Sequence, residues 1–261
     1  MDQASLSTLV NAIGGAKVTG FFLVLARISP LFVLAPLFSS KMMPAKVKTV
    51  VAVGLAMGLT PIAVRGQAIP TDPMSVTALL VEQFLVGLAF AFAVGAVLSA
   101  IEAAGALADM GAGFSFGSLV DPVNGNQGGT LTNLYSLVGL AMFIAIGGDA
   151  WVLRGMARTF TLVPLTKSAP IASLTSGVEQ AFGSIFIAAV EVAAPVILAM
   201  LVTDIAFGMV SKVVPQLNVF AVGFALKVGV AMLIVAAALP FISGFMSDQL
   251  STAVTTALHT I

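Results

Sequence analysis

Residues 105–129 read GALADMGAGFSFGSLVDPVNGNQGG, and the chain on either side is arranged around this stretch. It lies between two long apolar segments but is built differently from both. Seven of its residues are glycine, and two aspartates, a proline, two asparagines and a glutamine interrupt it. It also carries Met110, Phe114, Phe116, Leu119 and Val120, bulk that a plain solvated loop does not need. Glycine removes the side-chain barrier to unusual backbone angles, so such a segment folds back or enters a narrow space at little cost. Two readings follow: a surface connection, or a re-entrant or pore-blocking loop. The second requires packing against protein or a water-filled cavity, because irregular backbone survives at membrane depth only there.

The flanking sequence fixes the environment. Of 261 residues, 59% are hydrophobic and 8% charged, and the mean hydropathy is +1.11. Ordinary soluble domains carry about a quarter charged residues, so the expectation is an all-α integral membrane protein. Net charge is zero and no Lys/Arg-rich run is present, which argues against a nucleic-acid partner. There is no cysteine, so disulfides, thiolate metal sites and cysteine nucleophiles are excluded. The start, MDQASLSTLVNAIGGAK, has no basic region leading into an apolar core of the kind a cleavable leader shows. Its spacing of Leu6, Leu9, Val10 and Ile13 predicts a short amphipathic helix lying at an interface or on a partner.

Outward from residues 105–129, six apolar stretches reach or approach the roughly 20 residues needed to cross a bilayer. They run 18–38, with Pro30 and Pro36 expected to bend or end it, then 47–64, 74–101, 131–153, 178–210 and 217–246. A weakly amphipathic tail follows. Trp151 beside Arg154 and Arg158 has the composition of an interfacial anchor. With the N-terminus outside, Lys41, Lys46, Lys48 and Lys212 face one side; Lys17, Arg65, Arg154, Arg158 and Lys167 face the other. That near-even split gives no positive-inside orientation, weak evidence against a simple six-pass bundle.

Arg27, Glu82, Glu191, Asp204 and Lys227 lie inside the apolar stretches. A central charge costs about 2.5–3.5 kcal/mol on insertion scales, so each is expected to meet protein, water or an opposite charge. A final hairpin turning near Lys212 and Val213 places Lys227 level with Leu198. Glu191 and Asp204 are then roughly 9–10 Å away along the axis. This register argues against direct pairing, unless Pro195 shifts it, and leaves a partner on another helix or subunit as at least an equal alternative. Small residues at Gly87, Ala91, Gly95 and Ala96, and at Gly223 and Gly229, suit close helix packing.

Catalytic chemistry is not indicated. The only histidine is His259, there is no phosphate-binding loop, and no metal or cofactor set is visible. Gly147-Gly148-Asp149 matches an intramembrane aspartyl-protease motif only vaguely, with Asp204 as a nominal mate. The chain is not expected to be an enzyme.

Three motifs in order then carry a resemblance. The first is Arg27-Ile-Ser-Pro30-Leu-Phe32 with Pro36-Leu-Phe38. The second is Gly113-Phe-Ser-Phe-Gly-Ser-Leu-Val-Asp121-Pro122 followed by Gly125-Asn-Gln127. The third is Pro215-Gln216-Leu-Asn218-Val-Phe220 with Gly223-Phe-Ala-Leu-Lys227. Together, across nearly the whole chain, they resemble the FliR family of flagellar export-gate proteins. Ala225 departs from the proline of many members. Related injectisome proteins share Pro-Gln-Leu-Asn-Val-Phe, and Gly223-Phe224 tilts the resemblance toward the flagellar branch.

The resemblance implies a structural, pore-forming subunit of the type III export gate, in the bacterial inner membrane within the flagellar basal body. It would assemble with FliP-like and FliQ-like subunits, next to FlhA-like and FlhB-like proteins. Unfolded flagellar proteins would pass as cargo. One domain over 1–261 would combine a FliP-like portion, about 1–177, with a FliQ-like hairpin and tail, about 178–261. The stretch 105–129 would be a plug in the pore. Met110, Phe114 and Phe116 would give soft apolar bulk, and Gly111, Gly113 and Gly117 pliancy. The rival, from a different class, is a secondary transporter or channel coupling through Glu191, Asp204 and Lys227. It would act alone, whereas a gate subunit needs its partners.

Overall fold

The computed structural model describes residues 3–35, 38, 43–114, 129–214 and 219–261. The described residues form α1 (Gln3–Ile28), α2 (Leu31–Leu34), α3 (Ala45–Ala63), α4 (Pro73–Ala112), α5 (Thr130–Ala145), α6 (Gly148–Leu162), α7 (Ile171–Val213) and α8 (Val219–Thr260). Among them, five helices are long and apolar enough to cross a membrane, or six if the bent pair of α5 and α6 counts as one span. This is the all-α membrane architecture that the hydropathy predicts.

Local chemistry sets the ends. Pro30 stops α1 and starts the single turn of α2, as expected of a residue that cannot donate to the helix ladder. α4 opens on Asp72, whose Oδ2 accepts the Ser75 N–H at 2.9 Å, with Pro73 in the first helical position where proline fits best. Hydrogen bonds from Ser75 hold the exposed Asp72 carboxyl below the usual carboxylate range.

Four boundaries differ from the sequence reading. The N-terminal helix does not stand apart: α1 runs without interruption from Gln3 to Ile28. α4 continues through Gly105 to Ala112, so the first eight residues of the glycine-rich stretch are helical. Ala106, Leu107, Ala108 and Met110 are strong helix formers, and the helix ends only at Gly113, where φ is +83°. The fourth stretch breaks in two because Gly147 takes φ +69°. Ile146 N–H then bonds back to Met142 O and Gly147 N–H to Ile144 O, a left-handed helix stop that only glycine adopts freely. The C-terminal tail continues α8 to Thr260.

The chain divides into two compact units. The first comprises residues 1–95, 148–181 and 251–261. Here α1 packs on α3, and α4 lies against α1 and α2 through two glycines two turns apart. A Cβ at Gly95 would sit 2.7 Å from Leu34 O, and one at Gly87 would overlap Arg27 O with the Arg27 carbonyl carbon at 2.7 Å. Ala91 between them is fully buried. Gly155 of α6 meets Phe90 and Val254 equally tightly. Because the obstacle at Gly87 is main chain, Gly87→Ala is expected to destabilise by about 1–3 kcal/mol. Gly229, where a Cβ meets open space, is the control, and Gly229→Ala should be neutral or stabilising. Equal melting temperatures for the two variants would remove the packing argument.

The second unit comprises residues 96–147 and 182–250. The end of α4 packs on α5 through Gly105, where a Cβ would lie 2.7 Å from Thr132 Cα, and through Gly139, 3.0 Å from Ile101 Cγ2.

Candidate functional site

The glycine-rich stretch is held at its root by one residue, Asp109, buried to 3% exposure in the last turn of α4. Its main-chain oxygen accepts the N–H groups of Gly113 and Phe114 at 3.0 and 3.1 Å, which closes α4. Its carboxylate starts the next helix. Oδ1 accepts Leu131 N–H at 2.8 Å, and Oδ2 accepts Thr132 N–H at 2.8 Å and the Thr132 hydroxyl at 2.6 Å. The first N–H groups of a helix have no partner within it, and a carboxylate there also faces the positive end of the helix dipole. The cap residue of α5 is Gly129, with no side chain to offer, so Asp109 caps α5 from another helix. Gly129 is required for this: a Cβ there would overlap the Asp109 carboxylate.

The expected plug residues fall on both sides of this clip. Met110 is 70% exposed at the end of α4, and a Cβ on Gly111 would touch Met200 of α7 at 3.7 Å. Phe114 meets Phe224 of α8 edge-on, ring centroids 5.8 Å apart. Phe116, Gly117, Asp121, Pro122, Pro215, Gln216 and Asn218 lie outside the described residues, and of the third motif Phe220 is placed within α8.

Three residues beyond Phe224 is Lys227, and its Nζ is 2.5 Å from Asp204 Oδ1. This overturns the register argument against a direct pair. α7 ends at Val213 and α8 starts at Val219, so the turn is centred on position 216 rather than on Val213. Reflecting Lys227 through that point lands next to Asp204. The pair is peripheral, with the Asp204 side chain 53% exposed. Glu191 is also exposed on α7.

Arg27 and Glu82 belong to the first unit. Arg27 is fully buried in the last turn of α1, where the helix dipole favours a cation. Its Nε donates to Gln83 Oε1 at 2.7 Å and Nη2 donates to the same oxygen. Nη1 donates to Thr159 O at 2.9 Å, and the guanidinium carbon lies 4.6 Å from the centroid of the Phe160 ring. Gln83 Nε2 in turn donates to Leu165 O at 3.1 Å. A buried cation needs its hydrogen bonds satisfied, and here amide, carbonyl and aromatic face satisfy it. No carboxylate pairs with it among the described residues. α1, α4, α6 and the segment after α6 are thereby tied to one side chain. Glu82, next to Gln83, accepts the Ser168 hydroxyl.

Among the described residues, no cluster of His, Cys, Asp or Glu could hold a metal ion. A cavity of about 270 Å³ in the first unit is apolar, lined mainly by Leu85, Leu88, Leu174 and Val178, with Glu179 at its edge. Its lining contains none of Glu191, Asp204 or Lys227.

The described residues thus make an all-α protein with helices able to cross a membrane, whose polar and charged groups join one helix to the next. The chain belongs to the bacterial export proteins, family 1, whose model matches residues 18–253. It is 26% identical to the flagellar biosynthetic protein FliR of Escherichia coli (strain K12), over 88% of each chain. The FliR of Bacillus subtilis (strain 168) is 29% identical over 85% of this chain and 87% of its own. The surface presentation of antigens protein SpaR of Salmonella typhimurium is 24% identical over 80% and 78%. The resemblance carried by the three motifs therefore holds at the level of the family.

Proposed function

We propose that this chain is a structural, pore-forming subunit of the flagellar type III export gate in the bacterial inner membrane, within the basal body. It assembles with FliP-like and FliQ-like subunits, beside FlhA-like and FlhB-like proteins, and unfolded flagellar proteins pass through the pore. Its first portion, about 1–177, plays the FliP-like part, and the hairpin and tail, about 178–261, the FliQ-like part. It carries no catalytic step. Besides the family match, one observation favours a subunit over a self-sufficient transporter. Glu191 and Asp204 are exposed on the apolar helix α7, with the 20% exposed Lys227 paired to Asp204. Hydrocarbon penalises ionisable groups there, so partner chains are the natural cover.

The test is co-expression with the neighbouring FliP-like and FliQ-like genes, followed by native mass spectrometry. A defined complex containing this chain and several copies of the others is expected. A lone monomer, with the partners verified as expressed, would restore the transporter reading.

The glycine-rich stretch is the plug of that pore in this reading, and its root is described by Asp109, Gly113 and Phe114. Deleting residues 115–120 leaves those three in place. The expected result is normal assembly with a resting membrane leaky to small solutes, read as dye or ion flux. A complex that assembles and stays tight would count against the plug.

A further inference from the structure

α6 carries two arginines on its exposed face. Its 15 residues are too few to cross a bilayer. At about 100° per residue, Trp151, Arg154, Arg158 and Thr161 fall in one sector of about 80°, and all four are exposed. Val152, Met156, Thr159 and Phe160 are buried against the first unit. The segment after α6 carries exposed Lys167, and Thr166 N–H donates to Gln67 Oε1 at 3.2 Å, bringing in the turn that holds exposed Arg65.

None of these four cations has an ion-pair partner among the described residues. The nearby acids are directed elsewhere. Glu82 accepts the Ser168 hydroxyl and makes no ion pair among the described residues, and Asp149 projects from the opposite side of α6 and is half-buried.

Guanidinium groups cannot lie in hydrocarbon without a large penalty. A half-exposed indole beside them marks the headgroup boundary, where one edge is apolar and the other wet. Two arginines one turn apart offer planar donor forks that match a phosphate. We propose that the outer face of α6 binds anionic phospholipid headgroups. Arg154 and Arg158 hold the phosphate, and Trp151 rests at the glycerol level. This surface does not depend on the export reading.

Trp151 is the only tryptophan, so its fluorescence reports the site without engineering. The full chain is reconstituted in phosphatidylcholine vesicles containing equal mole fractions of brominated phosphatidylglycerol or brominated phosphatidylcholine. Brominated phosphatidylglycerol is expected to quench Trp151 with a preference on the order of tenfold. Bromines near the carbonyl end of the chain should quench more than those near its terminal methyl. Arg154→Gln/Arg158→Gln should bring the preference close to one. Equal quenching by the two lipids in the wild-type chain would overturn the proposal, without reference to any variant. So would the absence of quenching by either lipid, as a face covered by protein would show, or a preference that survives the double substitution.

Discussion

Arg27→Ala is expected to melt far below the wild-type chain, with a loss of about 3–5 kcal/mol. The substitution strands the Gln83 amide oxygen in a buried site and takes one of two donors from the Thr159 carbonyl, which keeps the Val163 N–H; an unpaired buried group costs about 1–3 kcal/mol. It also opens a void under the Phe160 ring, which the guanidinium now covers. Arg27→Lys should fall between the two. It keeps a cation, but an ammonium cannot span Gln83 and Thr159 as a planar fork does. Arg27→Met with Gln83→Leu should recover part of the loss, because removing both partners of a buried polar contact is cheaper than removing one. Thermal unfolding of the full chain in detergent, followed by circular dichroism, measures all three. Equal melting of Arg27→Ala and wild type would reduce the joint to an incidental contact.

Asp109→Ala is expected to cost about 2–4 kcal/mol and to act locally first. It leaves the Leu131 and Thr132 N–H groups at the start of α5 without acceptors, and a lost cap alone is worth roughly 0.5–2 kcal/mol. Hydrogen exchange at those two amides should accelerate by a factor on the order of 30, the equivalent of about 2 kcal/mol in local opening. Gly129→Ala should reproduce the effect from the other side, since a methyl group there displaces the carboxylate. If exchange at Leu131 and Thr132 is unchanged in both variants, Asp109 is not the cap.

The hydrophobic record of the chain made its helices readable, because about 20 apolar residues in a row have few alternatives to a membrane crossing. Contacts that depend on turn geometry or on neutral residues were harder to read. The Asp204–Lys227 pair depended on where the last hairpin turns, and three residues of error in the turn centre moved the partners apart by about 9 Å. Gln83 carries no charge, so nothing in its immediate sequence marked it as the acceptor for Arg27. Asp109 was hidden by its neighbours. In a stretch so rich in glycine it passed for a loop residue, although the alanines and leucine around it favour helix. The break at Gly147 is visible in the pair Gly147-Gly148, and the left-handed φ of Gly147 explains that pair without chemistry. The small-residue pattern of Gly87, Ala91 and Gly95 marks a close contact, because spacing by four places all three on one helix face, whereas Gly229, also expected at a close contact, meets open space.

The double role of Asp109 frees the length of the segment it closes. Both ends, at Phe114 and Gly129, are positioned through one residue, the first by its main-chain oxygen and the second by its carboxylate, so the distance between them does not depend on how many residues lie between. Lengthening a closed segment costs only loop-closure entropy, about 0.6 kcal/mol per doubling. Related chains that keep the aspartate and the two glycines beside it are therefore free to vary the number of residues between them, and with it the bulk presented there, while the helices that carry the segment stay as they are.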